Sequence, residues 1–164
     1  MMKQQIKYEW IEGKDCFERL KKFLTEVDDI IIPRLSERVS IDDYARKLSD
    51  KASNLFAEYR KNDIGECSIY CNTDMAYITS IAIKAEFSNR NIGMHMMSMV
   101  KDYITEKGCT QIQLHVHKTN AVAISFYKKC GFSKKAEDTS WLTMEWSGTY
   151  GKEDICDKDV NASL

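Results

Sequence analysis

Residues 87–97 read FSNRNIGMHMM. Ser88, Asn89 and Asn91 are short, polar turn formers. A single glycine, Gly93, then precedes a run of methionines, so a loop is predicted to lead straight into a helix. Helix N-termini attract Asp and Glu, because unpaired N–H groups and the macrodipole favour negative charge there. This entrance has an arginine, Arg90, and no acidic residue. A negative charge supplied from outside the chain would fit that vacancy. A strand, a short loop and a helix N-terminus in succession bind phosphate through free backbone amides. Gly93 lets a backbone approach a ligand closely, and Asn91 tolerates unusual dihedrals. A plain helix cap accounts for the same residues, so the stretch by itself leaves both readings open.

Working outward, hydrophobic periodicity sets the elements. Ile6, Tyr8 and Trp10 alternate as a first strand, which Gly13 ends. Asp15 and Glu18 have the spacing of a capping box, and Phe17, Leu20, Leu24 and Val27 follow at helical spacing. Pro33 disfavours helix at Ile32. A second helix starts at Ser40 and Asp43, with Ile41, Tyr44, Ala45 and Leu48 on its apolar face. From Asn54 the period becomes two. "NLFAEYR", "IGECSIYC" and "AYITSIAI" read as an antiparallel meander turning at "KND" and "NTD". Past the loop, Ile92, Met96, Val100 and Ile104 mark a helix ending near Gly108. "QIQLHV" is a strand, "NAVAISFYKKC" a short helix stopped by Gly131, and "SWLTMEW" a last strand. The predicted order is β-α-α-β-β-β-α-β-α-β-β, an α+β domain with a mixed sheet.

The chain has 164 residues, 43% hydrophobic and 30% charged, enough for one domain with a substantial core. That domain is placed at 1–146, with 147–164 a polar extension. Net charge is −1 with no Lys/Arg block, which argues against nucleic acid or an anionic membrane as partner. No run reaches membrane length, and "MMKQQIKYEW" is no signal peptide. The six cysteines, Cys16, Cys67, Cys71, Cys109, Cys130 and Cys156, are therefore read as reduced thiols of a cytoplasmic protein. Cys67 and Cys71 lack a second pair or a nearby His, so no metal is expected.

The segments "SIAIKAEFSNRNIGMHMM" and "IQLHVHKTNAVAISFYKKCGF" together resemble the GCN5-related N-acetyltransferase (GNAT) superfamily. Its pyrophosphate loop follows the pattern Gln/Arg-x-x-Gly-x-Gly/Ala, and a later segment reads Asn-x-x-Ala-x-x-Phe-Tyr-x-x-x-Gly-Phe. Asn120, Ala123, Phe126, Tyr127, Gly131 and Phe132 match the second fully. The first is matched in part: Ser88 replaces Gln/Arg, Asn91 replaces the first glycine, and Gly93 is retained. The motifs span Ile81–Phe132, and the element order extends the likeness from Ile6 to Trp146.

The resemblance implies acetyl-CoA as co-substrate and a splayed parallel strand pair to receive it. The strand segment Ile81, Ala82, Ile83 would pair with the pantetheine arm. The amides of Ser88, Asn89, Arg90, Asn91, Ile92, Gly93 and Met94 would cradle the pyrophosphate. Asn120 would hydrogen-bond the arm, and the helix bearing Ala123, Phe126, Tyr127 and Lys129 would flank the thioester. Tyr127 matches the family's proton donor to the departing thiolate. A tyrosine on a helix face is otherwise a core or rim residue. A base must also deprotonate the amine. The strand before the loop reads Ile78-Thr79-Ser80 without a carboxylate, so Glu66 on the neighbouring strand is the first candidate, against a solvent-facing alternative. His115 and His117 are weaker candidates. The expected reaction is acetyl transfer to a primary amine of a small polar acceptor by a monomer or homodimer. The alternatives are an acyl-CoA-binding regulatory module without catalysis and an acetylator of aminoacyl-tRNA, which a net charge of −1 disfavours. The acceptor site is expected in "IIIPRLSERVSIDDYARKLSDKA" (30–52).

Overall fold

The computed structural model describes residues 5–13 and 16–148. Strands β1 (Lys7–Glu12), β2 (Ser53–Tyr59), β3 (Asn62–Tyr70) and β4 (Met75–Ile83) run antiparallel in sequence order. β5 (Gln111–His117) lies parallel to β4, and β7 (Trp141–Ser147) and β6 (Ser133–Glu137) complete the sheet in the order β1-β2-β3-β4-β5-β7-β6. Helices α1 (Phe17–Glu26), α2 (Leu35–Arg38) and α3 (Ile41–Lys51) precede β2. α4 (Ile92–Glu106) joins β4 to β5, and α5 (Ala121–Lys129) joins β5 to β6. The α+β class and the parallel pair agree with the sequence reading.

Two cores form, one on each face of the sheet. Leu20 and Leu24 of α1 and Ala45 and Leu48 of α3 bury against Phe56. Ile92, Met96, Val100 and Ile104 of α4, with Tyr127 of α5, bury against Leu55, Ile69, Ile78, Ile112 and Leu114. Those α4 positions recur every four residues, so one helix face supplies the whole contact. The second face of β1 follows the same logic: Tyr8 packs on His95 and Trp10 stacks on Tyr103, both from α4. Arg19 ties α1 to the start of β3 through a bidentate pair with Asp63 (2.7 and 2.8 Å), with Phe56 beneath its guanidinium.

Some local expectations need correction. The β2–β3 hairpin turns at Arg60 and Lys61, both left-handed (φ 50° and 63°), one residue before the predicted "KND". The single-turn α2 was not foreseen; four residues are too few to show a period. The predicted cap at Asp15 lies outside the described residues, as does the extension beyond 148. Ser40 caps α3 as expected, its Oγ accepting from the Asp43 amide (3.3 Å). β7 includes Ser147, one residue past the proposed domain boundary. Among the described residues no helix is long and apolar enough to cross a membrane.

The decisive irregularity is in β4. Ser80 faces Ser68, and Ile78 faces Ile69, so Thr79 is an extra residue, a β-bulge. Pairing of β4 with β5 stops at that point: Ile78 opposite Leu114 is the last pair, although β4 continues to Ile83. Tyr44 of α3 holds the bulge. Its Oη donates to the Thr79 carbonyl (2.7 Å) and lies 2.8 Å from Thr79 Oγ1. Tyr44→Phe should remove about 1 kcal/mol of stability. It should also loosen the cleft, with thermal melting and acetyl-CoA titration falling together. Unchanged affinity in a measurably destabilised variant would leave Tyr44 a core residue only.

Candidate active site

Where β4 and β5 part, a cavity of about 1550 Å³ opens between α5, the loop after β4 and the α1–α3 segment. Its floor is the unpaired edge of β4. The Lys84 amide donates to the Ile64 carbonyl across the β3–β4 ladder (2.8 Å). Alternation along an antiparallel pair then turns the N–H and C=O groups of Ile81 and Ile83 away from β3, toward the open edge. This is the edge an extended amide-bearing chain could join as an added strand.

At one end of the cavity lies the loop that opened the sequence reading. A 3₁₀ turn over Ala85–Phe87 leads into it. Asn89 and Asn91 are left-handed (φ 60° and 62°), so asparagine does here what glycine does in the family pattern. Asn91 immediately precedes α4, its side chain does not cap the helix, and the first turn holds no acid. The amides of Ile92, Gly93 and Met94 have no intrahelical acceptor. The Ser88 amide is already bonded to the Ala85 carbonyl (3.2 Å), so it is not free for the phosphate contact that the sequence reading gave it. Gly93 also serves a purpose other than the one expected. Its φ is not left-handed; a Cβ there would sit 3.2 Å from two atoms of the Phe126 ring. The glycine admits Phe126 of α5 against the helix entrance. Arg90 does not line the cavity; its guanidinium lies over Phe87, 5.3 Å from the ring centre.

The remaining predicted cofactor residues converge. Ile81, Ala82 and Ile83, the loop residues Ser88, Asn89, Asn91, Ile92, Gly93 and Met94, and Asn120, Ala123, Phe126, Tyr127 and Lys129 all line the cavity. Asn120 caps α5 through Oδ1, accepting from the Ala123 amide (3.2 Å). Tyr127 is buried between Phe126 and Phe132. Burial is the chief cause that pushes its phenol well above the ordinary value, with Cys67, Cys130 and Tyr77 adding to it.

Glu66 is not the solvent-facing residue that the alternative reading allowed. It is wholly buried, on the sheet face toward α1 and α3, and does not line the cavity. Ser80 bridges it to the cavity: Ser80 lines the wall, and its Oγ donates to Glu66 Oε2 (2.8 Å). Ser68 Oγ meets Glu66 Oε1 and lies 2.6 Å from Asn54 Oδ1. Asn54 is held in turn, its Nδ2 donating to the carbonyls of Leu48 and Ala52 (3.2 Å each). Burial pushes the Glu66 carboxyl up to about 7, against the opposing pull of the Ser68 and Ser80 hydroxyls. Ser68 has one hydroxyl proton. A protonated Glu66 satisfies every partner, with Ser68 donating to Asn54; an ionised one draws that proton from Asn54.

Sequence reasoning did not single out Ser80 or the contact of Arg38 with Trp141, although Arg38 and Tyr44 lie in the 30–52 segment where the acceptor site was expected. His115 and His117 do reach the cavity, against Tyr77 and Trp141 respectively. Among the described residues no group of His, Cys, Asp and Glu is placed to hold a metal ion.

Comparison with known proteins matches this geometry. A family model described as "Acetyltransferase (GNAT) family" covers residues 17–132. Spermidine N(1)-acetyltransferase of Thermoplasma acidophilum is 29% identical over 82 residues, 50% of this chain and 51% of the relative. N-alpha-acetyltransferase 60 of Danio rerio is 35% identical over 75 residues, 44% of this chain and 31% of the relative. The chain thus spans about half or less of the length of these relatives. The solved structure of PaiA N-acetyltransferase from Thermoplasma acidophilum, in complex with coenzyme A, superposes with a TM-score of 0.71 at 20% identity, over 87% of this chain and 99% of that one. The ribosomal-protein-S18-alanine N-acetyltransferase of Escherichia coli gives 0.67 at 16% identity, over 87% and 94%. At those identities the two structures speak for the fold, and the family match extends over most of the chain: this protein belongs to the acetyltransferase (GNAT) family.

Proposed function

We propose that the chain is an acetyl-CoA-dependent N-acetyltransferase acting on a primary amine. One observation carries the reading: an uncapped, acid-free helix entrance and an unpaired strand edge open into the same cavity. The first suits a pyrophosphate and the second an amide-bearing arm, the two parts of coenzyme A that a protein backbone can recognise. A thioester held along β4 would lie between Tyr127 and the Thr79 bulge.

The chemistry removes protons from an ammonium and returns one to a thiolate. Ser80 Oγ accepts a proton from the incoming ammonium and passes its own to Glu66 Oε2. The neutral amine then attacks the carbonyl carbon; a C–N bond forms and the C–S bond breaks. Tyr127 protonates the leaving sulfur, and the second amine proton, lost through solvent, restores the phenol. The raised Tyr127 suits this role because the thiolate forms in the same dry surroundings, where it too is made more basic. The rival reading, an acyl-CoA-binding module without catalysis, gives no task to a carboxyl tuned near 7 behind a cavity-lining hydroxyl.

Four measurements test the reading. Gly93→Val should weaken acetyl-CoA binding at least tenfold, about 1.4 kcal/mol, since the added methyls displace Phe126; unchanged calorimetric affinity would remove the loop from the site. Tyr127→Phe should lower kcat by about 10²-fold while acetyl-CoA affinity stays within a few-fold; with chemistry rate-limiting, a fall under threefold would return Tyr127 to a packing role. The wild-type rate should rise with pH through about 7 as Glu66 ionises and becomes a base. Glu66→Gln and Ser80→Ala should both lose that limb. Folding stability should run the opposite way: the raised carboxyl favours the native state most below its unfolded value and loses that contribution as pH climbs to about 7. Glu66→Gln should flatten this trend in melting experiments.

A further inference from the structure

We propose that the acceptor of this reaction carries a carboxylate near its amine, as an amino acid does, and that Arg38 binds it; the inference rests on the acetyltransferase reading. With the coenzyme half of the cavity assigned, the other half is walled by the 30–39 segment facing β5 and β7. Arg38 stands there with its guanidinium 5.3 Å from the centre of the Trp141 ring, the ring His117 meets edge-on. Among the described residues no carboxylate lies within ion-pair distance of Arg38, whereas Arg19, Lys21, Lys84 and Arg46 are all paired. Its charge reaches the Tyr44 and Tyr77 hydroxyls, both in the same cavity, and opposes the upward push of burial on each. A guanidinium over an aromatic face keeps its fork of donors free, the geometry that takes a carboxylate by two parallel hydrogen bonds.

The acids of the cavity bear on the opposite preference. Two of its described lining residues are acidic, Glu137 and Asp138. Glu137 is bridged by Lys118 (3.0 Å) and Lys134 (2.9 Å). Asp138 Oδ1 accepts from the amides of Ser140 (2.9 Å) and Trp141 (2.8 Å). Glu137 is thus balanced by two lysines and Asp138 is held by two backbone amides, so neither is an unengaged carboxylate. The surrounding wall is apolar, with Ile30, Ile32 and Val39 exposed along it. Such a wall suits an acceptor with one anionic group and an apolar stem.

The test compares matched amines under saturating acetyl-CoA, by thiol release: leucine, phenylalanine and lysine, each against its decarboxylated amine, with spermidine as the polycation. The carboxylate-bearing member should be preferred at least tenfold in kcat/KM. Arg38→Ala should erase the preference through KM, with kcat nearly unchanged, as expected for a binding contact. Arg38→Lys should keep part of it, and Arg38→Glu should shift preference toward spermidine. Wild-type preference for the decarboxylated amines or spermidine would overturn the inference, and so would an unchanged ratio in Arg38→Ala. Absence of both turnover and calorimetric binding for all three amino acids, on protein saturated with coenzyme A, would also overturn it. Acetyl-CoA titration of the same protein separates the two failures, because loss of that binding would refute the acetyltransferase reading itself.

Discussion

The site depends on one residue too many in β4. Thr79 has no partner in β3, and the strand leaves β5 at the same point. Every later element keeps its place: α4 still crosses to β5, and β5 still pairs along its other edge with β7. The sheet therefore opens without unravelling. The backbone groups released along β4 are polar, and an unpaired polar group in a dry cleft is unfavourable. Tyr44 satisfies one of them from α3. The rest are left for whatever enters, so the energetic weakness of the split sheet is also its capacity to bind.

The two faces of that sheet carry different groups to the cavity. The α4–α5 side supplies the helix entrance, Phe126 and Tyr127. The α1–α3 side supplies Glu66, buried with Ser68 and Asn54. Ser80, at the split, lines the cavity and also bonds the buried Glu66, so it links the two. Because Asn54 is anchored to the Leu48 and Ala52 carbonyls, the end of α3 fixes the far end of the same polar chain. Helix packing and carboxyl tuning are in this way properties of one network.

What the sequence made legible was whatever is encoded by period or by local conformation. Ile92, Met96, Val100 and Ile104 marked α4, and Ile112, Leu114 and Val116 marked β5, because each set repeats on one face. Asn91 was readable as a left-handed position from its chemistry, and the structure adds Asn89 beside it. Contacts between residues far apart in the chain leave no such trace. The Thr79 bulge depends on Tyr44, 35 residues earlier, and the burial of Glu66 depends on Asn54 and Ser80. For Gly93 the position was legible but the cause was not, since the ring that requires it comes from α5. Ser88 resembled a cradle residue until the Ala85 carbonyl was found to hold its amide.

The parallel seam between β4 and β5 runs only from Met75 to Ile78, and it joins two antiparallel halves, β1–β4 and β5–β7–β6. β2–β3–β4 and β6–β7 are joined by short turns; β1 reaches β2 only after α1–α3, and across the seam the partners lie 36 apart in sequence. Contacts of that separation form slowly, after closure of the intervening chain. The core beneath α4 spans the seam, with Leu55 and Ile69 in one half and Ile112 and Leu114 in the other, so side chains hold the halves together where the ladder between them is short. A molecule lying in the cleft would touch both halves and brace them at the point where the ladder between them is missing.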